Sequence, residues 1–396
     1  MTWGVIDAES IAEAEKLVGV SLRRDTWRWV EQASRDTISH FVEGVGDGNP
    51  LWTDREYGKQ SWAGTNLAPG TFLFAVDGTT VAPKLAGIQW IYAACDWLWN
   101  DVVRLGDEFK VTSMVTDVER KSTSFADLWV MQHGQVDFHR TDGQLVAQAF
   151  PQIARTPRGD SLKKASGGKL KYRSREPHRY TQEELDKIEQ EALNEPVRGG
   201  ESRYWEDVQV GEAVPAVVKG PLTGTDIVGW YSAVQGARPY GGTHELVYKY
   251  RQRHQDYHMN PATGARDSAG RGHLEVQTGV DVGMGGAYDI GPQRIAWAGH
   301  MVTNWMGDDG FMRRLKVEVR RPNLIGDTLW WKGTVSAKQE LDQHHSVTLD
   351  IEAVNQFGER TAWGVAEVYL PSYSHGPVVL PVPVNEQNRS LVPPLA

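Results

Sequence analysis

The densest run of chemistry-bearing side chains is RPYGGTHELVYKYRQRHQDYHMN, where His244, His254 and His258 stand among Arg238, Arg251 and Arg253. His254 and His258 are four positions apart, a spacing that would put both on one helix face. No His-Glu-x-x-His pattern or matching carboxylate spacing accompanies them, so no metal site is expected. The segment is expected to be a lid or an oligomer contact, or to offer its arginines to phosphate groups of a ligand. His300 lies in the apolar stretch AWAGHMVTNW, where a lone histidine is ordinarily buried and hydrogen-bonded. Arg294, on the same expected helix, can steer an acidic group or pair with Asp289, an expected helix N-cap. Cys95 sits in the run IYAACDWLW and is expected to be a small buried hydrophobe rather than a nucleophile. As the single cysteine, it excludes an intrachain disulfide and a zinc site of several thiolates.

The elements that must position such residues occur twice. Asp36, Ile38, Phe41 and Gly46 align with Asp226, Val228, Tyr231 and Gly236 at an offset of 190. Trp52, Gly64 and Gly70 align with His273, Gly285 and Gly291 at 221. Gly106-Asp107 aligns with Gly326-Asp327 at 220, and Gly143 with Gly358 at 215. Matches that keep their order along the chain indicate a duplication, and the jump from 190 to 221 places an insertion of 31 residues at 237–267. Each repeat opens with a helical segment, 28–45 and 225–235. A Gly/Pro-bounded helix start follows, LAPGTFLFAV and YDIGPQRIAWAGHMVTNWM, with Pro292 in the first turn of the second. Strands are expected at 109–118, 127–136 and 145–153, then at 315–319, 328–335, 346–354 and 361–369. A long helix followed by antiparallel strands is an α+β unit. The expected organisation is a first repeat at 1–155, a linker at 156–200 and a second repeat at 201–396. Within the linker, Thr181 and Glu184 form a capping box for the helix TQEELDKIEQEAL.

The chain has 396 residues, enough for two ordinary domains, and 40% of them are hydrophobic, as in a folded protein. The net charge of −9 argues against nucleic acid or an anionic membrane as the main partner. No apolar run reaches the roughly 18 residues of a membrane helix, and the N-terminus MTWGVIDAES lacks a secretory pattern, so a cytoplasmic location is expected. The 16 tryptophans suggest a large apolar cavity or an extensive subunit contact, and a homodimer is expected.

GDGNPLWTDREY and LAPGTF in the first half, with HLE, YDIGPQR and VRRPNLIGDTL in the second, resemble the MaoC-like acyl dehydratases. The resemblance covers most of both repeats and omits the linker and the insertion. It implies a double hotdog, in which an antiparallel sheet wraps around a central helix in each repeat. It also implies reversible hydration of a trans-2-enoyl thioester carried by coenzyme A or acyl carrier protein, with no metal or redox cofactor. In that register His273 takes the position of the catalytic histidine, and Gly291, at the start of the central helix, supplies the N–H for the thioester oxygen. The family's aspartate, five residues before the histidine, would fall at Ser268; here the nearest acid is Asp267, giving Asp-x5-His. Glu275, Tyr288, Asp289, Arg294, His300 and His244 are the candidate substrate contacts. In the first repeat Asp47 and Asn49-Pro50 are kept, but Trp52 stands where the histidine would be. An indole N–H only donates, so this repeat is expected to be non-catalytic. Two other readings fit the same pattern: a hotdog thioesterase, and a non-catalytic acyl-coenzyme A-binding protein.

Overall fold

The computed structural model describes residues 4–24, 30–123, 126–157, 172, 174–234, 245–253, 258–260, 263–267, 269–341 and 343–384. The main sheet contains β1 (Ser21–Leu22), β2 (Gln89–Trp99), β3 (Phe109–Thr123), β4 (Ala126–Arg140), β5 (Leu145–Thr156), β6 (Ala213–Lys219), β7 (Phe311–Val319), β8 (Leu329–Leu341), β9 (His344–Asn355) and β10 (Arg360–Leu370). These ten strands are all antiparallel, in the order β1-β3-β4-β5-β2-β7-β10-β9-β8-β6. The order is palindromic about the β2–β7 junction: β5 mirrors β10, β4 mirrors β9, β3 mirrors β8 and β1 mirrors β6. At that junction Cys95 lies opposite Val317 and Trp97 opposite Leu315, and Cys95 is a buried side chain as expected.

Repeated local chemistry produces the repeated shape. The turn before β3 has Gly106 at φ 97°, and the turn before β8 has Gly326 at φ 92°, a region that side-chain-bearing residues rarely enter. In each, the following aspartate accepts from a backbone N–H three residues back, Asp107 from Arg104 at 2.8 Å and Asp327 from Leu324 at 2.7 Å. The helices α1 (Arg35–Val45) and α3 (Gly224–Val234) are counterparts that pack on one another. A methyl at Gly44 would lie 2.9 Å from the Ala233 Cβ, so small residues set this close approach. Helix α1 starts at Arg35 rather than 28 because Ser34 and Thr37 form a capping box there; residues 25–29 lie outside the described ones. The linker helix α2 (Gln182–Leu193) has the expected cap, with Thr181 Oγ1 accepting from Glu184 N.

The central helices differ. In the second repeat α4 (Gly291–Met306) begins with Pro292 and is buried along almost all of its length. Burial of Ile295, Trp297, Met301, Val302 and Trp305 contributes on the order of 1.5–3 kcal/mol per large side chain. In the first repeat the corresponding segment is a 3-10 turn at Gly70–Phe72 and one helical turn at Leu73–Val76. The expected helix stops there because Asp77-Gly78-Thr79 turns the chain: Asp77 Oδ1 accepts from Thr79 N at 2.7 Å, and Thr79 has φ 53°. Among the described residues no helix is long and apolar enough to cross a membrane.

Candidate active site

The start of α4 opens onto a cavity of about 190 Å³ at one end of the β2–β7 junction. The first repeat supplies Phe74, Tyr92 and Trp129 to the wall, and the irregular stretch after its shortened helix supplies Gly78 and Thr80. The second repeat supplies Trp230, Tyr231, His273, Tyr288 and Gly291. The wall is thus rich in aromatic rings, with a histidine and a helix start set into it.

His273 ends a 3-10 turn at Ala269–His273. Its Nδ1 lies 2.9 Å from the Tyr288 carbonyl oxygen. A carbonyl only accepts, so Nδ1 carries the proton and the neutral ring's accepting nitrogen is Nε2. The ring packs at 4.2 Å from the Tyr288 ring and 6.3 Å from that of Tyr231. Burial pushes the imidazole pKa below its ordinary value, and the Tyr288 carbonyl bond opposes this only in part. The result is a neutral imidazole with an accepting nitrogen at neutral pH, the state a general base requires.

Gly291 opens α4 beside strand β2. A methyl there would lie 2.8 Å from the Tyr92 Cβ and 3.2 Å from the Tyr92 carbonyl, so a side chain at this position would push the helix start off the strand. The N-cap is Ile290, not the expected Asp289, and no side chain caps the end. The first-turn N–H groups and the positive end of the helix therefore face the cavity, suited to an oxygen that gains negative charge.

Asp289 and Arg294 also reach the wall, but each is already fully engaged. The Arg294 guanidinium donates through Nε at 2.7 Å and through Nη2 to the Asp289 carboxylate, and its Nη1 donates to the carbonyls of Arg321 and Thr361 at 2.6 and 3.1 Å. Asn323 donates to the same carboxylate from its backbone N–H at 3.1 Å and from its side chain at 2.8 Å. The pair thus clamps the start of α4 to the segment before β8, and it does not steer a substrate.

Asp267 is not on the wall. Its carboxylate pairs with Arg271 at 3.0 Å, and the other arm of Arg271 pairs with Glu275. Arg271 is buried four residues from each acid and holds both carboxylates. This replaces the expected Asp267–His273 dyad and removes Glu275 as a substrate contact. His300 is buried elsewhere on α4, with Nε2 2.7 Å from Glu195 Oε1 and 3.1 Å from Asn304 Nδ2. Burial pushes the Glu195 carboxyl up, but the hydrogen bonds from His300 and Asn304 and the attraction of His300 and Lys219 together outweigh it and leave the pKa lowered. His300 therefore belongs to a buried polar cluster rather than to the cavity. His244 lies outside the described residues. Of the candidates, His273, Gly291, Tyr288, Asp289 and Arg294 converge on one cavity, and Asp267, Glu275 and His300 do not.

Tyr92, Trp129, Trp230 and Tyr231 also line the wall, beyond the residues expected from sequence. One signal was available: Tyr231 aligns with Phe41, so the second repeat gained a hydroxyl where the first has none.

Comparisons with known proteins agree with this architecture. Residues 18–149 match the family described as FAS1-like, dehydratase domain region. A UPF0336 protein of Streptomyces avermitilis is 30% identical over 129 residues, which are 31% of this chain and 83% of the relative. A UPF0336 protein of Streptomyces coelicolor is 28% identical over the same length and shares. Among solved structures, a MaoC-like dehydratase superposes with a TM-score of 0.61 at 15% identity, over 90% of this chain and 99% of that one. A protein of Mycobacterium tuberculosis described as having a double hotdog fold superposes with a TM-score of 0.53 at 13% identity, over 89% and 96%.

Proposed function

Because the chain belongs to the MaoC-like hotdog dehydratases, we propose that it adds water reversibly to a trans-2-enoyl-coenzyme A thioester, giving a 3-hydroxyacyl-coenzyme A, with His273 as the base. The observation that carries this reading is the hydrogen bond from His273 Nδ1 to the Tyr288 carbonyl, which reserves Nε2 for a proton from water. Water, deprotonated by Nε2, attacks the β-carbon, and the electrons of the double bond move toward the thioester oxygen. The N–H at Gly291 and the positive end of α4 hold that oxygen as it becomes an enolate. The wall's one carboxylate among the described residues, Asp289, is occupied by Arg294 and Asn323. The imidazolium itself therefore returns the proton to the α-carbon, and the sum of the steps is one water added across the double bond. One ring acting as base and then as acid places the hydrogen and the hydroxyl on the same face.

The aromatic wall around Trp90, Trp129 and Trp230 suits a bulky acyl group. At the same wall Arg320 is partly exposed and Arg321 exposed, and both can meet coenzyme A phosphates. Purified protein incubated with short, long and aryl-substituted trans-2-enoyl-coenzyme A thioesters should consume the conjugated-thioester absorbance without releasing thiol. Thiol release would identify a thioesterase instead. Tight binding with neither change would identify an acyl-binding protein, the reading favoured by the withdrawal of Asp267 onto Arg271.

A further inference from the structure

We propose that Glu340, His345 and His375 bind a divalent transition-metal ion of the zinc class, which fastens the chain after β10 to the β8–β9 hairpin. Glu340 on β8 and His345 on β9 are cross-strand partners, so the sheet presents their side chains on one face. Beyond β10 the chain reverses in a turn closed by reciprocal backbone bonds, Ser372 N to Gly376 O at 2.9 Å and Gly376 N to Ser372 O at 2.8 Å. That turn carries His375 back over the hairpin, with its ring centroid 4.7 Å from that of His345. One ligand atom from each of the three residues lies within 4.8 Å of the other two, and His345 Nε2 is 3.9 Å from Glu340 Oε1.

Two imidazoles and a carboxylate, with a fourth position left for water, form a donor set that zinc accepts. Ligand bonds of about 2.0–2.2 Å require donor atoms somewhat closer together than these. Glu340 and His375 are exposed and can move inward, while His345 is buried and set in place under Trp205 at 5.2 Å between ring centroids. His375 is also oriented: its Nδ1 lies 2.8 Å from the Ser374 hydroxyl, which leaves Nε2 for the ion. Hydrogen bonds of this kind fix the tautomer and direction of metal-binding histidines. The three positions are separated by 5 and 30 residues, and it is the sheet register and the turn that bring them together. A search of the sequence for helical metal spacing therefore passes over them.

Calorimetric titration of the full chain with zinc chloride tests the site, with His375→Ala and Glu340→Gln beside the unaltered protein. His375 and Glu340 are exposed, so neither substitution disturbs the core. The expected result is one ion per chain at this site, affinity reduced at least about tenfold in each variant, and a zinc-dependent rise in Tm that His375→Ala abolishes. Absence of binding to the unaltered chain would overturn the proposal. So would an unchanged affinity in His375→Ala, which would place the ion on other histidines.

Discussion

The two ends of the β2–β7 junction are built alike and differ in what fills them. Each has a glycine at a helix start pressed against an aromatic residue of β2: Gly291 against Tyr92, and Gly70 against Trp99. At the second-repeat end the Tyr92 backbone and Cβ make the contact, and a cavity of about 190 Å³ remains beside His273. At the first-repeat end the indole itself makes it: Trp99 Nε1 donates to the Gly70 carbonyl at 3.1 Å, and a space of about 50 Å³ remains. Trp52 is buried where His273 stands in the other repeat. Nearby, Asp308 is held by Asn49 at 2.8 Å and Tyr57 at 2.7 Å, and burial raises its pKa. The clamp differs too. Asp289 and Arg294 correspond at offset 221 to Ala68 and Leu73, so the first repeat has buried apolar side chains where the second has a buried ion pair. Duplication preserved the scaffold, and a few side chains decide which end has an open cavity with an accepting nitrogen in it.

The largest expected effect separates the two ends outright. His273→Ala should lower kcat/KM for enoyl-coenzyme A hydration by about 10²–10⁴, the usual contribution of a general base. Trp52→Phe, at the equivalent position, should leave kcat/KM little changed. Next, Asp289→Asn removes one partner of a buried pair and should cost about 3–5 kcal/mol of stability in denaturant unfolding. Ala68→Ser at the other end should not approach that loss. Gly291→Ala should cost about 1–3 kcal/mol through its clash with Tyr92 and lower kcat/KM as the helix start shifts.

The pH dependence has a definite sign. Burial lowers the His273 pKa, so the neutral base persists below the ordinary histidine value of about 6.5, and kcat/KM should fall about tenfold per pH unit only beneath the lowered value. For stability, the unfolded chain takes up this proton first as pH falls. The folded state therefore loses stability from about pH 6.5 downward, until the folded group also protonates. A kcat/KM profile breaking above pH 6.5 would contradict the burial argument. The smallest effect is expected at Asp267→Asn. With its carboxylate drawn to Arg271, kcat/KM should stay within about threefold, as expected for a group outside the reacting set; a loss of a hundredfold would restore the Asp-x5-His dyad.

What was legible in the sequence was local or repeated. The capping box at Thr181 depends on residues three apart, and the ordered glycine offsets register the duplication that the palindromic sheet displays. Strand β2 carries a weak sequence signal because IYAACDWLW is largely buried and lacks the polar–apolar alternation of a half-exposed strand. Strand β6 is hidden in the sequence because it is short, lies at the sheet edge and contains Pro215. At the site, position along the chain showed where His273 falls but not where Asp267 points. That direction is set by Arg271, which lies four residues from each of two acids and pairs with both. His300 shares a helix with Gly291, but its bond to Glu195 places it in a buried cluster off the cavity wall.

The most direct test is the initial rate at which conjugated-thioester absorbance disappears from a trans-2-enoyl-coenzyme A, measured for the unaltered protein, His273→Ala and Trp52→Phe at matched folding by circular dichroism. Loss of the rate in His273→Ala alone, by about 10² or more, is the predicted result. Hydration that survives in His273→Ala, or that disappears only in Trp52→Phe, would contradict the assignment of chemistry to the second-repeat cavity.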